Sequence, residues 1–516
     1  MSDSEDPNEA ASEQPQTVED INGHRYQLKS PPLGEGGQGR VYRTENAEVL
    51  VKLVCENSRI IQDESKHKLY RQRFGRLLEL DLAGIQVAAP ETLLASPWCG
   101  YSMRLVRDMV PIKCLLLPSG QELREDYVAS GGLRRRLGIL TSLARVLSSL
   151  HSIPVGYGDI SPENIFISEK IDLYRVWLID ADNMHLSNEQ GAGFWTVRYA
   201  APELAKCGHS DCRSDVFGFA CLAYIILCQH EAFNRGEASI GPSWSRTATP
   251  SLRVSDNIEP WEKADVPWVH DEDDPCDTPG IPWEKVCSPK MQTAFENTLG
   301  KGRLNPDERP SMRVWQTVLT QARDALVRCP KCQWDFYLND ETCPVCETGR
   351  PAFLKWDIRL WHPELDAGYD DPGLALATEV GEEMLRRHLK HNDGEPASAP
   401  APTPPVGFLV QQLTSSGSSA ELMTRHCFTL CEREVDKAEM QVSLVGSQIR
   451  LDACSDRFAF RVAYETGFHK MIAGSSDHPL PIKRSTRWWI HTGDLDSPHR
   501  VLIPTWFPAA NSGGRT

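Results

Sequence analysis

Asp159 and Asn164 stand five residues apart in Tyr157-Gly158-Asp159-Ile160-Ser161-Pro162-Glu163-Asn164, between a helical run and an apolar one. Such a pair on one tight loop can serve a phosphate site. The carboxylate accepts a hydroxyl proton and the amide oxygen ligates Mg²⁺. Farther on, Trp177-Leu178-Ile179-Asp180 reads as an apolar strand that delivers a second acid to the same place. Upstream, Gly34-Glu35-Gly36-Gly37-Gln38-Gly39-Arg40-Val41 lies between two extended segments. Glycines there let backbone amides approach phosphate oxygens. Lys52 follows inside an apolar strand, Glu48 to Val54, where an amine is costly unless a charge pairs with it. A separate group, Cys329-Pro330-Lys331-Cys332 and Cys343-Pro344-Val345-Cys346, has the spacing for four thiolates on one tetrahedral ion.

The elements that must position these groups belong to a chain of 516 residues, which predicts two or three domains. Its 40% hydrophobic content suffices for several cores, and its net charge of −16 argues against a nucleic-acid or anionic-membrane binder. No apolar run approaches a membrane span, and the first residues are acidic rather than signal-like, so a cytoplasmic protein is expected. The 16 cysteines are then expected as buried thiols and metal ligands rather than disulfides. Residues 1–22 read as a disordered acidic tail.

The phosphate-site segments resemble the eukaryotic-like, bacterial-type Ser/Thr protein kinases. The resemblance covers about Tyr26 to Ala325 and implies roles residue by residue. Asp159 would be the catalytic Asp, with Asn164 and Asp180 as Mg²⁺ (or Mn²⁺) ligands. Gly34, Glu35, Gly36, Gly37, Gln38, Gly39 and Val41 would cover ATP, and Lys52 would hold its phosphates. Glu79, late in a helix predicted over Ser65 to Ala83, would pair with Lys52, with Glu64 as the alternative. Met103 would sit at the gatekeeper place. Arg104 to Val106 would form the hinge, with Arg104 and Val106 offering backbone groups to adenine. Thr196 would contact Asp159, Asp215 would brace the catalytic loop, and Arg309 would pair with Glu203 of Ala201-Pro202-Glu203. Several residues depart from the family pattern. Leu50 stands where Ala is usual and narrows the adenine slot. Gly158 replaces an Arg that reads activation-loop phosphate, and Ser161 replaces a Lys. Asp180-Ala181-Asp182 lacks the usual Phe and Gly.

The expected fold is α+β: a two-lobed protein-kinase domain over 23–326, with lobes at about 23–107 and 108–326. A zinc ribbon over 327–349 follows, by resemblance, with a structural Zn²⁺. A helix from Leu374 to Leu389 and a Pro-rich linker fill 350–406, and a small all-β domain occupies 407–506, with strands at His426 to Leu430, Gln441 to Val445, Phe458 to Val462 and Arg487 to Ile490. The stretch from Asn234 to Cys287 is an insertion whose Trp244, Trp261, Trp268 and Trp283 either bind a partner or staple a long loop to the lobe. The function implied is ATP-dependent phosphoryl transfer to protein Ser/Thr hydroxyls, with protein substrates, a protein partner for the β-rich domain and no nucleic acid. The alternatives are a pseudokinase scaffold and a small-molecule phosphotransferase.

Overall fold

The computed structural model describes residues 16–510 apart from 37–38, 57–58, 62, 119–121, 187–194, 209, 235–262, 264, 274, 276–277, 362–406, 414–416, 429–436, 455–457, 465–466, 471–479, 483–487 and 495–496. The chain divides into two compact units, Met1–Leu319 and Thr320–Thr516.

The first unit begins with a seven-stranded sheet. Its strands are β1 (Thr17–Glu19), β2 (Arg25–Gly36), β3 (Gly39–Thr44), β4 (Val49–Glu56), β5 (Arg59–Ile60), β6 (Thr92–Leu93) and β7 (Gly100–Arg104), in the order β1-β2-β3-β4-β7-β6 with β5 on β4. The end of the expected acidic tail is thus part of the sheet. Val18 is buried, and the Asp20 carboxylate accepts from the amides of Asn22 and His24 and from the Tyr26 hydroxyl. Residues 1–15 lie outside the described residues. The central strand β4 is buried from Leu50 to Cys55, Lys52 included.

Helix α1 (Glu64–Glu79) starts at Asp63, whose carboxylate accepts from the amides of Ser65 and Lys66. It buries His67, Phe74 and Leu77, while Leu69 and Leu78 point to solvent. Phe74 packs edge-on against Tyr101 of β7, with ring centroids 4.9 Å apart. Next come α2 (Leu123–Ala129) and α3 (Gly132–Ser152), whose apolar periodicity fits its burial along almost every turn. The antiparallel strands Ile165–Ser168 and Val176–Leu178 then aim the two acidic segments at one place. The helix Cys212–Cys228 packs on α3, and its capping box is built by Asp211 and Ser214. Within the insertion, Trp268 is fully buried and meets Tyr224, His270 and Trp283 at right-angle contacts. Those aromatic groups staple the loop to the lobe. Trp244 and Trp261 lie outside the described residues.

In the second unit, Leu326–Arg328 pairs with Asp335–Tyr337 beside the four cysteines. Two antiparallel sheets follow. One runs Gly407–Gln411, Phe353–Trp361, His499–Phe507, Trp488–His491, Arg461–Tyr464, Gly467–Lys470. The other runs Ser419–Met423, Ala438–Val445, Gln448–Ala453, Leu480–Pro481. Side chains from both, including Trp356, Leu409, Met440, Ile449 and Ile490, share one core. The β-rich region therefore starts at Phe353, ahead of the expected boundary at 407, because Phe353, Trp356, Ile358 and Trp361 supply buried positions to a strand paired on both sides. Thr424–Cys427 is a helical turn rather than the start of a strand, its His426 ring accepting from the Met423 amide. The helix expected over Leu374 to Leu389 and the Pro-rich linker lie outside the described residues.

Candidate active site

The loop from Tyr157 to Asn164 hangs from the helix Cys212–Cys228. Asp215 accepts the backbone amides of Tyr157 and Gly158 at 2.7 and 2.9 Å, and its carboxylate also meets His151 at 3.1 Å. Gly158 has φ +89°, and a Cβ there would lie 2.9 Å from the Asn183 carbonyl oxygen. The chain can make this turn only with glycine. Buried Tyr157 ties the loop to the second acidic strand by donating its hydroxyl to the Ile179 carbonyl.

Asp159 is the hub. Its Oδ1 accepts the Thr196 hydroxyl at 2.7 Å and the Thr196 amide at 2.9 Å, and its Oδ2 accepts the Asn164 side-chain amide at 2.9 Å. Burial raises its pKa against the Thr196 hydrogen bonds, and the Asp180 charge raises it further. The result is a more basic carboxylate, better suited to take a proton. Asp180 has φ +58°, the left-handed region, which costs a non-glycine residue of order 1 kcal/mol. Its side chain keeps 31% of its surface open.

Lys52 of β4 is 6% exposed at its side chain and pairs with both Asp180 and Asp182, the latter at 2.7 Å. Burial works against its ammonium, but Asp182 and Asp180 more than offset this and hold its pKa above the ordinary lysine value. Gly39 lies over Lys52, where a Cβ would come within 2.7 Å of the lysine Cε. Gly34 and Gly36 flank the same turn, Gly34 opposite Val41 and Gly36 opposite Gly39 in register. Gly37 and Gln38 lie outside the described residues. Glu35 is paired across the turn with Arg40 at 2.7 Å. Leu50, Leu105 and Val106 line a cavity of about 400 Å³ next to the hinge, while Arg104 is exposed and faces Glu91.

Glu79 is not brought to this group. It is exposed in the last turn of α1, and Glu64 is exposed in the first. Spacing along the chain placed Glu79 near the next strand, but the buried stripe of α1 turns both acids outward. The residue missed was Asp182, buried with its Oδ1 accepting the Tyr101 hydroxyl at 2.6 Å. Its only signal was a second acid two positions after Asp180. Arg309, with no side-chain exposure, holds Glu203 through two parallel bonds of 2.6 and 2.9 Å.

Cys329, Cys332, Cys343 and Cys346 bring their sulfur atoms within 4.8 Å of one another. The pairs Cys329–Cys346 and Cys332–Cys343 are 3.5 Å apart. Tetrahedral Zn–S bonds of about 2.3 Å need edges of about 3.8 Å, so this donor set fits the ion. The two halves repeat one turn: Gln333 and Glu347, each just after the second cysteine of its pair, have φ +60° and +59°. Every described cysteine is a free thiol, and among the described residues no helix is long and apolar enough to cross a membrane.

Residues 123–317 match the family model of the protein kinase domain. A serine/threonine-protein kinase, pkn2, of Myxococcus xanthus is 27% identical over 206 residues, 38% of this chain and 23% of that protein. The cysteine-rich receptor-like protein kinase 6 of Arabidopsis thaliana is 26% identical over 226 residues, 41% of this chain and 31% of that protein. The serine/threonine-protein kinase PknH of Mycobacterium tuberculosis is 27% identical over 210 residues, 39% of this chain and 31% of that protein. The aligned part thus spans less than a third of each of these three relatives.

Proposed function

Since the chain carries a protein kinase domain akin to those of bacterial Ser/Thr kinases, we propose that it transfers the γ-phosphoryl group of ATP to Ser/Thr hydroxyls of protein substrates. The observation that carries this reading is the hydrogen-bonded set of Asp159, Asn164 and Thr196 beside Asp180 and Lys52. Asp159 orients the substrate hydroxyl and takes its proton. Thr196 and Asn164 hold that carboxylate in place. Asn164 and Asp180 are the side chains that would hold Mg²⁺, which supplies charge neutralisation on the phosphates when bound. Lys52 adds positive charge beneath the glycine turn, and the backbone of Arg104 and Val106 would meet the adenine. The exposed face of Asp180 leaves room for a ligand that Asp182 lacks.

The four cysteines hold a structural Zn²⁺, all four positions being filled by thiolates with none left for water or substrate. The free thiols among the described cysteines fit a reducing compartment such as the cytoplasm. The β-rich region serves as the surface for a protein partner.

Transfer of labelled phosphate from ATP tests the reading, with wild type compared against Asp159→Asn. The variant should lose about 10²–10⁴ in rate. A wild type that binds nucleotide but labels no protein would make the chain a scaffold, and one that labels only small molecules would make it a small-molecule phosphotransferase.

A further inference from the structure

Lys52 has two carboxylate partners, and they differ in what else they do. Asp180 is 31% exposed and stands in left-handed backbone beside Asp159, where a ligand can reach it. Asp182 is 4% exposed at its side chain, and both of its oxygens are engaged: Oδ2 with Lys52 at 2.7 Å, Oδ1 with the Tyr101 hydroxyl at 2.6 Å. Tyr101 is the register partner of Lys52 across β4 and β7, so the two side chains leave the sheet on one face and meet at one carboxylate. Helix α1 supplies no acid here. Its two acidic residues, Glu64 and Glu79, are at its ends and exposed. What it presents to the same turn is a cation, Arg73, which donates to the Asn183 side chain at 3.3 Å.

We propose that Asp182 is the positioning residue that holds Lys52 against the nucleotide phosphates, so that the lysine is fixed by the short turn after Asp180 and not by α1. The proposal rests on the kinase reading above. When Asp180 turns to a metal–nucleotide complex, Lys52 loses part of its counter-charge. A buried ammonium without a partner is costly, so a second carboxylate must stay. Asp182 can stay because Tyr101 anchors it from the sheet. The lysine and its counter-ion then move with β4, β7 and the turn Ala181–Asn183, and a displacement of α1 leaves the pair intact.

Binding of a fluorescent ATP analogue to the full chain tests this in a double-mutant cycle. Asp182→Asn should weaken nucleotide affinity at least about tenfold, because it leaves Lys52 short of a partner. In a Lys52→Met background the same change should cost less than about twofold, since its target is gone. Steady-state rates should show the loss mainly in KM for ATP rather than in kcat. Equal losses in both backgrounds, or unchanged affinity in Asp182→Asn, would overturn the proposal. Should Asp182→Asn fail to fold, Tyr101→Phe serves instead. It removes only the hydroxyl that anchors Asp182, and should weaken binding about two- to fivefold in the wild-type background and not with Lys52→Met. No change in that variant would also overturn the assignment. A wild type that binds no nucleotide overturns the kinase reading itself, a result separate from additivity in the cycle.

Discussion

Lys52 in the first unit and His491 and Asp324 in the second are buried ionisable groups, and Asp159 beside Lys52 is half-buried, yet their surroundings treat them differently. Around Lys52 and Asp159 the hydrogen bonds are incomplete by design: Asp180 stays open and strained, and Asp159 is made more basic. In the second unit the groups consume one another. Trp489 donates to His491 at 3.1 Å, the facing nitrogens of His491 and His499 are 2.7 Å apart, and His499 faces the Ser497 carbonyl at 2.8 Å. Neutral rings satisfy this chain throughout, with His491 and His499 each donating from Nδ1. Asp324 is likewise closed off by Arg425 at 2.8 Å and His426 at 3.5 Å. Burial alone therefore does not mark a site. What marks it is a buried acid or base whose remaining valence faces open space.

The sharpest test of this contrast is the cysteine group, the one cluster among the described residues of the second unit whose geometry fits a metal ion. Cys343→Ser should cost the chain its metal, about one Zn²⁺ per molecule in the wild type by metal analysis. It should also raise hydrogen exchange from Cys329 to Cys346, because so short a segment cannot fold on apolar burial alone. Affinity for nucleotide should be unchanged. Metal-free wild-type protein, purified without chelators, would refute the zinc assignment.

Next in size is the Arg309–Glu203 pair. Arg309→Met removes one partner of a buried bidentate bridge and leaves Glu203 short of charge, at a cost of about 3–5 kcal/mol. The melting transition of the first unit should fall while that of the second holds. Equal shifts in both would mean that the units do not unfold separately.

How much of this was written in the sequence depends on how local each signal is. The loop Tyr157 to Asn164, the glycine turn and the paired cysteines are short motifs whose geometry is set within a few residues, whereas Arg309 meets Glu203 across 106 positions and was legible only through the kinase resemblance. The partner of Lys52 was not legible, because it depends on which face of α1 is buried and on Tyr101 reaching Asp182 across 81 positions. The strand Phe353–Trp361 was overlooked for a similar reason. Its alternation is plain, but its pairing partner His499–Phe507 lies beyond the Pro-rich stretch, which read as a domain boundary. Position 158 was read as a lost Arg, but the positive φ that makes Gly the only fit was not visible.

Acid should weaken the second unit by a smaller margin. Burial first, then the charges of His499 and Arg461, pull the pKa of His491 down to about 3, and burial also lowers His499 and His426. Unfolding frees these rings to take up protons at their ordinary value near 6.5. Their contribution is complete above that pH and is lost as pH falls, by about 1.4 kcal/mol per pH unit for each proton taken up. Asp324, held low because Arg425 and His426 more than offset its burial, adds to the loss only below about pH 4. Denaturant melts of the second unit at pH 7 and pH 5 should show this decline. Equal stability at the two values would mean that the rings are already protonated or solvated.

The smallest expected effect is none at all, and it concerns the loop itself. A kinase that waits for phosphate on its activation segment needs a cation beside the catalytic Asp to read it. Here that position is Gly158, whose φ of +89° and close approach to the Asn183 carbonyl admit no side chain. The neighbouring space is occupied by buried His185, whose ring nitrogens face the backbone carbonyls of Asn183, at 2.7 Å, and Ser210, at 2.5 Å. Thr196 already holds Asp159 through both its amide and its hydroxyl. Among the described residues, nothing in this arrangement waits for an added charge. Phosphatase treatment should therefore change the transfer rate by less than about twofold, whereas a kinase switched by charge-assisted pairing at that position would lose far more. A steep loss would mean that a cation elsewhere, such as Arg198 beside Glu231, reads the phosphate in place of residue 158.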